Sequence, residues 1–246
     1  MKTNEIGIKI KDKLGLTYFP VGIYYSETKP ANAGGFKNKG NGCIMPLILS
    51  AAKGNTIAFS PETTGWACSA FYLGYADWIF DGIECFLSDG NVQGRSSERF
   101  VKTPEQAKEY IKSFIPENLE KRYTILKPLS DFLPEEKPEI VVFFANPDEI
   151  SGIIFLLYYD APEEDNRVVT RFMSACGAVV TVPMKYKREG QLKAVWGMHD
   201  ISARLRLPKD LMTLSMPYEM VEEIAGHLDS SFVITENWKK IKERKT

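Results

Sequence analysis

Apolar and polar positions along this chain keep changing period, and each change marks a boundary between elements. Ile6, Ile8, Ile10 and Leu14 recur among charges. The early alternation is strand-like, but the lysine-rich window and Asn4 as a cap favour a short amphipathic helix over 3–14. PVGIYYSE predicts a buried strand from its β-branched and aromatic content, and TKPANAGGFKNKGNG predicts a loop. That loop delivers Cys43 to CIMPLILSAAK, which has helical length, tolerates Pro46 in its first turn and meets a stop at Gly54. TIAFS predicts a strand leading into TTGWACSAFYLGY, where Cys68 stands at a turn-to-helix start.

The sharpest local signal is TPEQAKEYIKSF: Thr103 caps a helix, Pro104 takes its first position and Gln106 closes a capping box. YTILKPL and EIVVFFA predict strands, and Asn146-Pro147 turns the second into a helix from about 148 to 159. After the polar loop DAPEEDN, VVTRFMSAC predicts a helix stopped by Gly177, followed by AVVTVPMKY and QLKAVWG as strands. PYEMVEEIAGHL closes the pattern as an amphipathic helix. GIECFLS, with Cys85 among alternating apolar neighbours, predicts a further strand.

Helices and strands without strict βαβ alternation indicate an α+β fold with mixed sheets flanked by helices, in a single domain over 1–246. The element order of 15–100 is echoed in 138–230, with SAAKG against SACG and WAC against WGMH, so pseudo-duplicated halves are an expectation. Such halves would bring Cys43 and Cys68 toward Cys176 and make Met198 and His199 mirror Cys68.

Composition narrows the function classes. With 44% hydrophobic residues in 246, the chain can bury a substantial core, and a formal charge of -1 gives no electrostatic footprint for a nucleic-acid partner. The basic C-terminal WKKIKERKT reads as a solvated helix end. Lysines interrupt the N-terminal stretch, and IIFLLYY is far too short to span a bilayer, so a cytoplasmic location without membrane contact is expected. Cys43, Cys68, Cys85 and Cys176 are then thiols rather than a disulfide framework.

Cys43 and Cys68 precede or open helices, where the N-terminal dipole favours thiolate, the form that ligates metals and attacks electrophiles. Cys176, before Gly177, reads as a helix end. Three thiolates suit an iron–sulfur cluster, with zinc as the alternative, although no C-x-x-C or other local ligand motif is present. His199, followed by Asp200, is a candidate fourth ligand or general base, whereas His227 reads as a helix-end partner. Dinucleotide, P-loop, zincin and hydrolase motifs are absent. Arg167, Arg171, Arg204 and Arg206 suit anion binding, and Trp66, Trp196 and Tyr75 could line an apolar pocket.

The segments PVGIYYSE, GCIMPLILSAAKGNTIAF, TTGWACSAFYLGY, EIVVFFANPDEI, FMSACGAVVTVP and ARLRLPKDLMTLSMPYEMVEEIAGHL together resemble the uncharacterised domain-of-unknown-function family 169, frequent in anaerobic bacteria and archaea. The resemblance implies that Cys43, Cys68 and Cys176 act together, while Cys85 has no counterpart. Where members often have glycine, cysteine and soon after arginine, this chain reads GMHDISAR, with Met198 or His199 at the cysteine and Arg204 at the arginine. The habitat is compatible with oxygen-sensitive chemistry.

Three readings follow. The first is a metal or iron–sulfur protein using Cys43, Cys68, Cys176 and His199, with a redox partner or small molecule at an open position. The second is a non-catalytic small-molecule binding or sensing domain with a pocket of Trp66, Arg171, Trp196 and Arg204. The third is a cysteine-nucleophile enzyme with Cys68 activated at its helix start and His199 as base. A homo-oligomer is compatible with all three.

Overall fold

The computed structural model describes residues 1–35, 43–64, 67–90, 97–116, 120–163 and 165–244. In chain order these form α1 (Thr3–Leu14), β1 (Val21–Ser26), α2 (Met45–Ala52), β2 (Ile57–Phe59), α3 (Ala67–Tyr72), α4 (Ile83–Phe86), α5 (Pro104–Lys112), β3 (Tyr123–Pro128), β4 (Ile140–Ala145) and α6 (Pro147–Leu157). The chain continues through β5 (Val168–Thr170), α7 (Val182–Arg188), β6 (Ala194–Gly197), α8 (Ile201–Arg204), β7 (Met212–Pro217), α9 (Tyr218–His227) and α10 (Glu236–Lys242). This is an α+β fold. One seven-stranded sheet runs in the order β2-β3-β1-β4-β7-β6-β5, antiparallel except for the parallel β5–β6 pair, and draws strands from both 15–100 and 138–230.

Helices cover both faces of the sheet. Val21, Ile23, Ile140, Val142 and Phe144 face a cluster with α2, α3 and α7, whereas Val141, Phe143, Ala145, Leu214 and Met216 face α1, α6 and α9. Burial on both sides explains why β4 reads IVVFFA without a polar position. Capping boxes start α5 at Thr103 and Gln106, and α6 at Asn146 and Glu149. Helix α1 starts one residue before Asn4, so Asn4 is no cap, and its Oδ1 is buried without a hydrogen bond.

Three expected elements differ. VVTRFMSAC divides into edge strand β5 and an irregular approach, and Ala175 then opens a continuous helix through 188. AVVTVPMKY is therefore helical: Gly177–Thr181 is a π-helical segment running directly into α7. Gly177 does not stop it. A Cβ there would stand 2.6 Å from Met173 Cγ, so the glycine permits close approach. Pro183, which has no N–H and whose ring crowds the carbonyl four residues back, follows the π segment, where the bonding has shifted to the wider i→i+5 turn. Cys85 lies on α4 rather than on a strand.

Helix α1 packs on the short turn after β3 through Gly7, where an added Cβ would overlap Leu129 Cβ and meet Leu129 and Ser130 backbone atoms at 3.0 Å. Gly7→Ala gains about 1 kcal/mol of helix propensity but forces an overpacking cost of roughly 1–3 kcal/mol. A net loss of stability is expected, read as a lower urea midpoint with an unchanged m-value; a rise in midpoint would show that α1 shifts freely on this turn.

Candidate metal centre

Three helix starts meet on the α2, α3 and α7 face. Cys43 precedes α2, where the Met45 amide favours its thiolate; Cys68 is the second residue of α3; Cys176 is the second residue of the helix over 175–188. The expectation that Cys176 ends a helix is thus reversed, because Ser174 Oγ accepts the Gly177 N–H at 3.2 Å and caps the helix from its other side. All three cysteines occupy N-terminal positions.

The thiols converge. Cys43 and Cys68 pack against the core cluster that holds Cys176, and both act on its thiol. Cys176 is buried, whereas Cys43 and Cys68 are half-buried and form the rim. Its two sulfur neighbours, and then burial, hold the Cys176 thiol well above its ordinary range. Its neighbour Cys176 lowers Cys43 to about 7, helped by the Met45 amide and Arg206 and opposed by burial and Asp200. Cys68 is lowered by the same neighbour, against burial and the charge of Cys43. One thiol is thus held up while its two neighbours are drawn down. Among the described residues, no group of three or more His, Cys, Asp or Glu side chains is already disposed around a metal-sized position.

Surrounding side chains fix the Cys176 turn. Asp200 Oδ2 accepts the Ala175 N–H at 2.9 Å, while its Oδ1 accepts from the Ser202 and Ala203 amides at 3.0 and 3.3 Å and caps α8. Tyr110 OH accepts the Ser174 N–H at 2.9 Å. Burial pushes the Tyr110 phenol up to about 12, so it stays protonated. None of Ser174, Tyr110 and Asp200 was singled out from the chain for this role. Only the caps carry a local signal: Ser174 and Asp200 each precede a helical stretch.

The other candidate residues are dispersed. His199 is exposed, with its ring 6.3 Å from that of Trp196. Trp196 packs on the opposite face of the sheet and lines a groove of about 290 Å³ with Ile150, Ile154, Phe155 and Met212. Arg204 reaches the Leu211 and Lys209 carbonyls and Met212 Sδ. Arg171 lies elsewhere, 4.2 Å over the Phe114 ring. Arg167 clamps Glu223 of α9 at 2.7 and 2.8 Å. Tyr75 OH pairs with Thr124 Oγ1 at 2.8 Å. Trp66 lies outside the described residues. His227 ends α9, beside the Tyr159 ring.

The DUF169 family, described as an uncharacterised ArCR, matches the chain over residues 9–227. No curated protein and no solved structure matches it. Among the described residues, no helix is long and apolar enough to cross a membrane.

Two outcomes test this geometry. In reduced, metal-free protein, alkylation of Cys43 should reach half its maximal rate near pH 7, because thiolate forms above that value, and Cys176→Ala should move the midpoint back up. A midpoint at the ordinary thiol value of about 8.5 in both proteins would remove the effect of Cys176. Asp200→Ala should lose caps on two helices and about 1–2 kcal/mol, whereas Asp200→Asn, which keeps an acceptor, should lose less by denaturant titration.

Proposed function

The chain belongs to the DUF169 family, over a span that contains Cys43, Cys68 and Cys176, and on that premise we propose that these three thiols bind a thiophilic metal. The observation that carries the proposal is the convergence of Cys43, Cys68 and Cys176 on one core cluster, where they shift one another's thiols, although the three stand far apart in the sequence. Soft sulfur donors select zinc, copper(I) or iron–sulfur centres over hard cations. With Cys43 near 7, thiolate is available at neutral pH, and metal binding would displace the remaining protons. The half-buried rim gives an ion access, and the buried Cys176 supplies the floor.

A second reading rests on the lowered thiol of Cys43, which is also what a nucleophile needs. It moves the expected nucleophile from Cys68 to Cys43 and gains nothing from His199, whose ring lies against Trp196.

Metal and sulfide analysis of protein purified without oxygen separates these readings. Cys43→Ser, Cys68→Ser and Cys176→Ser should each lower bound metal strongly, while Cys85→Ser should retain it. Equal metal content in all four variants rejects the shell. Metal-free protein that stays so on reconstitution and shows one fast-alkylating thiol at position 43 favours the nucleophile.

A further inference from the structure

Two of the helices that begin at the thiols meet again at their far ends, and a cavity lies there. Helix α3 carries Cys68 at its start and ends at Tyr72; the helix opened by Cys176 passes through its π segment into α7. Thr181 Oγ1, at the end of the π segment, donates to the Tyr72 carbonyl at 2.9 Å, a buried bond that fastens the two helices together. Both residues line a cavity of about 260 Å³, which Tyr25 of β1 and Lys112 at the end of α5 help to enclose.

Local geometry presents these residues to the cavity. Thr181, Met184, Lys185 and Arg188 recur at spacings of three and four, so one face of the helix forms a wall. Val180 and Thr181, the last residues of the π segment, both belong to the lining, and π-helical turns occur frequently at functional sites. Arg171, Trp196 and Arg204, which the sequence suggested for a pocket, do not line this one.

The lining has two chemical sides. Tyr72, Leu73, Val180 and Met184 are buried and form an apolar floor, whereas Lys112, Lys185 and Arg188 are exposed and bring cations to the rim. Three positive charges stand against the one negative charge of Glu189, and Glu109, 3.1 Å from Lys112 Nζ, lowers the excess. A single negative charge suits that balance better than a dianion. Tyr25 is half-buried on the same side of the sheet as Val21 and Ile23, and its hydroxyl has no hydrogen-bond partner among the described residues. Burial pushes this phenol up, against the pull of Arg188, so it keeps its proton and can donate it.

We propose that this cavity binds a small organic acid, whose carboxylate accepts from the Tyr25 hydroxyl among the Lys112, Lys185 and Arg188 cations while its apolar part lies on the floor. A carboxylate takes charge-assisted bonds from such donors, and the apolar floor rewards a hydrocarbon body that inorganic anions lack. The volume falls below the roughly 300–1,000 Å³ of pockets for drug-sized ligands, which limits the acid to a small one. No cysteine lines the cavity, so the inference stands apart from the metal reading.

Ligand-observed NMR titration of the whole chain tests it, with benzoate and hexanoate as probes and benzamide as the neutral counterpart of benzoate. Benzoate should bind in the millimolar range or tighter, and benzamide roughly tenfold more weakly for want of the charge. Tyr25→Phe, which removes only the hydroxyl, and Lys185→Met, at an exposed position, should each weaken benzoate roughly threefold or more while the fold is retained. Lys240→Met makes the same charge change on the exposed face of α10 and should leave binding as it is. Equal affinity for benzoate and benzamide overturns the proposal, as does benzoate affinity within about twofold of wild type in both Tyr25→Phe and Lys185→Met. Wild type that takes up neither benzoate nor hexanoate at about 10 mM overturns it as well. Metal content of the cysteine variants decides the reading above and bears on none of these results.

Discussion

Everything on either face of this molecule is hung from the pairing of β1 with β4. Both strands have neighbours on each side, and Val21, Ile23, Ile140, Val141 and Val142 have no exposed surface, so the ladder is the only way to satisfy their backbone groups away from water. Hydrophobicity alone does not fix the register, because β4 is apolar on both faces. Shape does: an added Cβ on Gly22 would meet Phe132 and Leu129, with Leu129 Cδ2 at 2.9 Å. A slip by one residue would drive the Val21 or Ile23 side chain into that space.

From that pair outward, the sheet places helix starts rather than helix ends at the thiols. Unsatisfied amide N–H groups and the positive ends of helix dipoles favour negative charge. Two of the sulfurs ionise more readily than an ordinary thiol, while the deepest is held well above the ordinary range. Burial opposes ionisation at all three sulfurs. The division into one raised floor and two lowered rims is therefore an outcome of the thiols acting on one another against desolvation.

Local chemistry made part of this legible in the chain. Thr103 with Gln106 and Asn146 with Glu149 are satisfied within four residues, so the starts of α5 and α6 need no tertiary information. The stretch from 168 to 186 depended on it. Val179, Val180, Thr181 and Val182 favour strands in isolation, yet all four are buried as helix against one cluster, and tertiary packing overrides weak propensity. The three cysteines could be grouped from their placement and from the family resemblance. Asp200 and Tyr110 could not, because each acts on a backbone amide in an element remote in sequence, and side-chain reach across elements leaves no period in the chain. His199 illustrates the converse: its type suggested chemistry, but its side chain leaves the thiols for the surface.

The π-helical turn between Cys176 and α7 sets an angular phase. An α-helix advances about 100° per residue, so a helix whose middle is wound more widely decouples the azimuth of its first turn from that of its last. Met184 and Tyr186 keep their seats in the core cluster while Cys176 points independently at Cys43 and Cys68. Restoring a uniform α-helix by deleting one residue from Gly177–Thr181 would rotate one end against the other by about that angle. Core packing would hold the far end, so the sulfur would be the part that turns away.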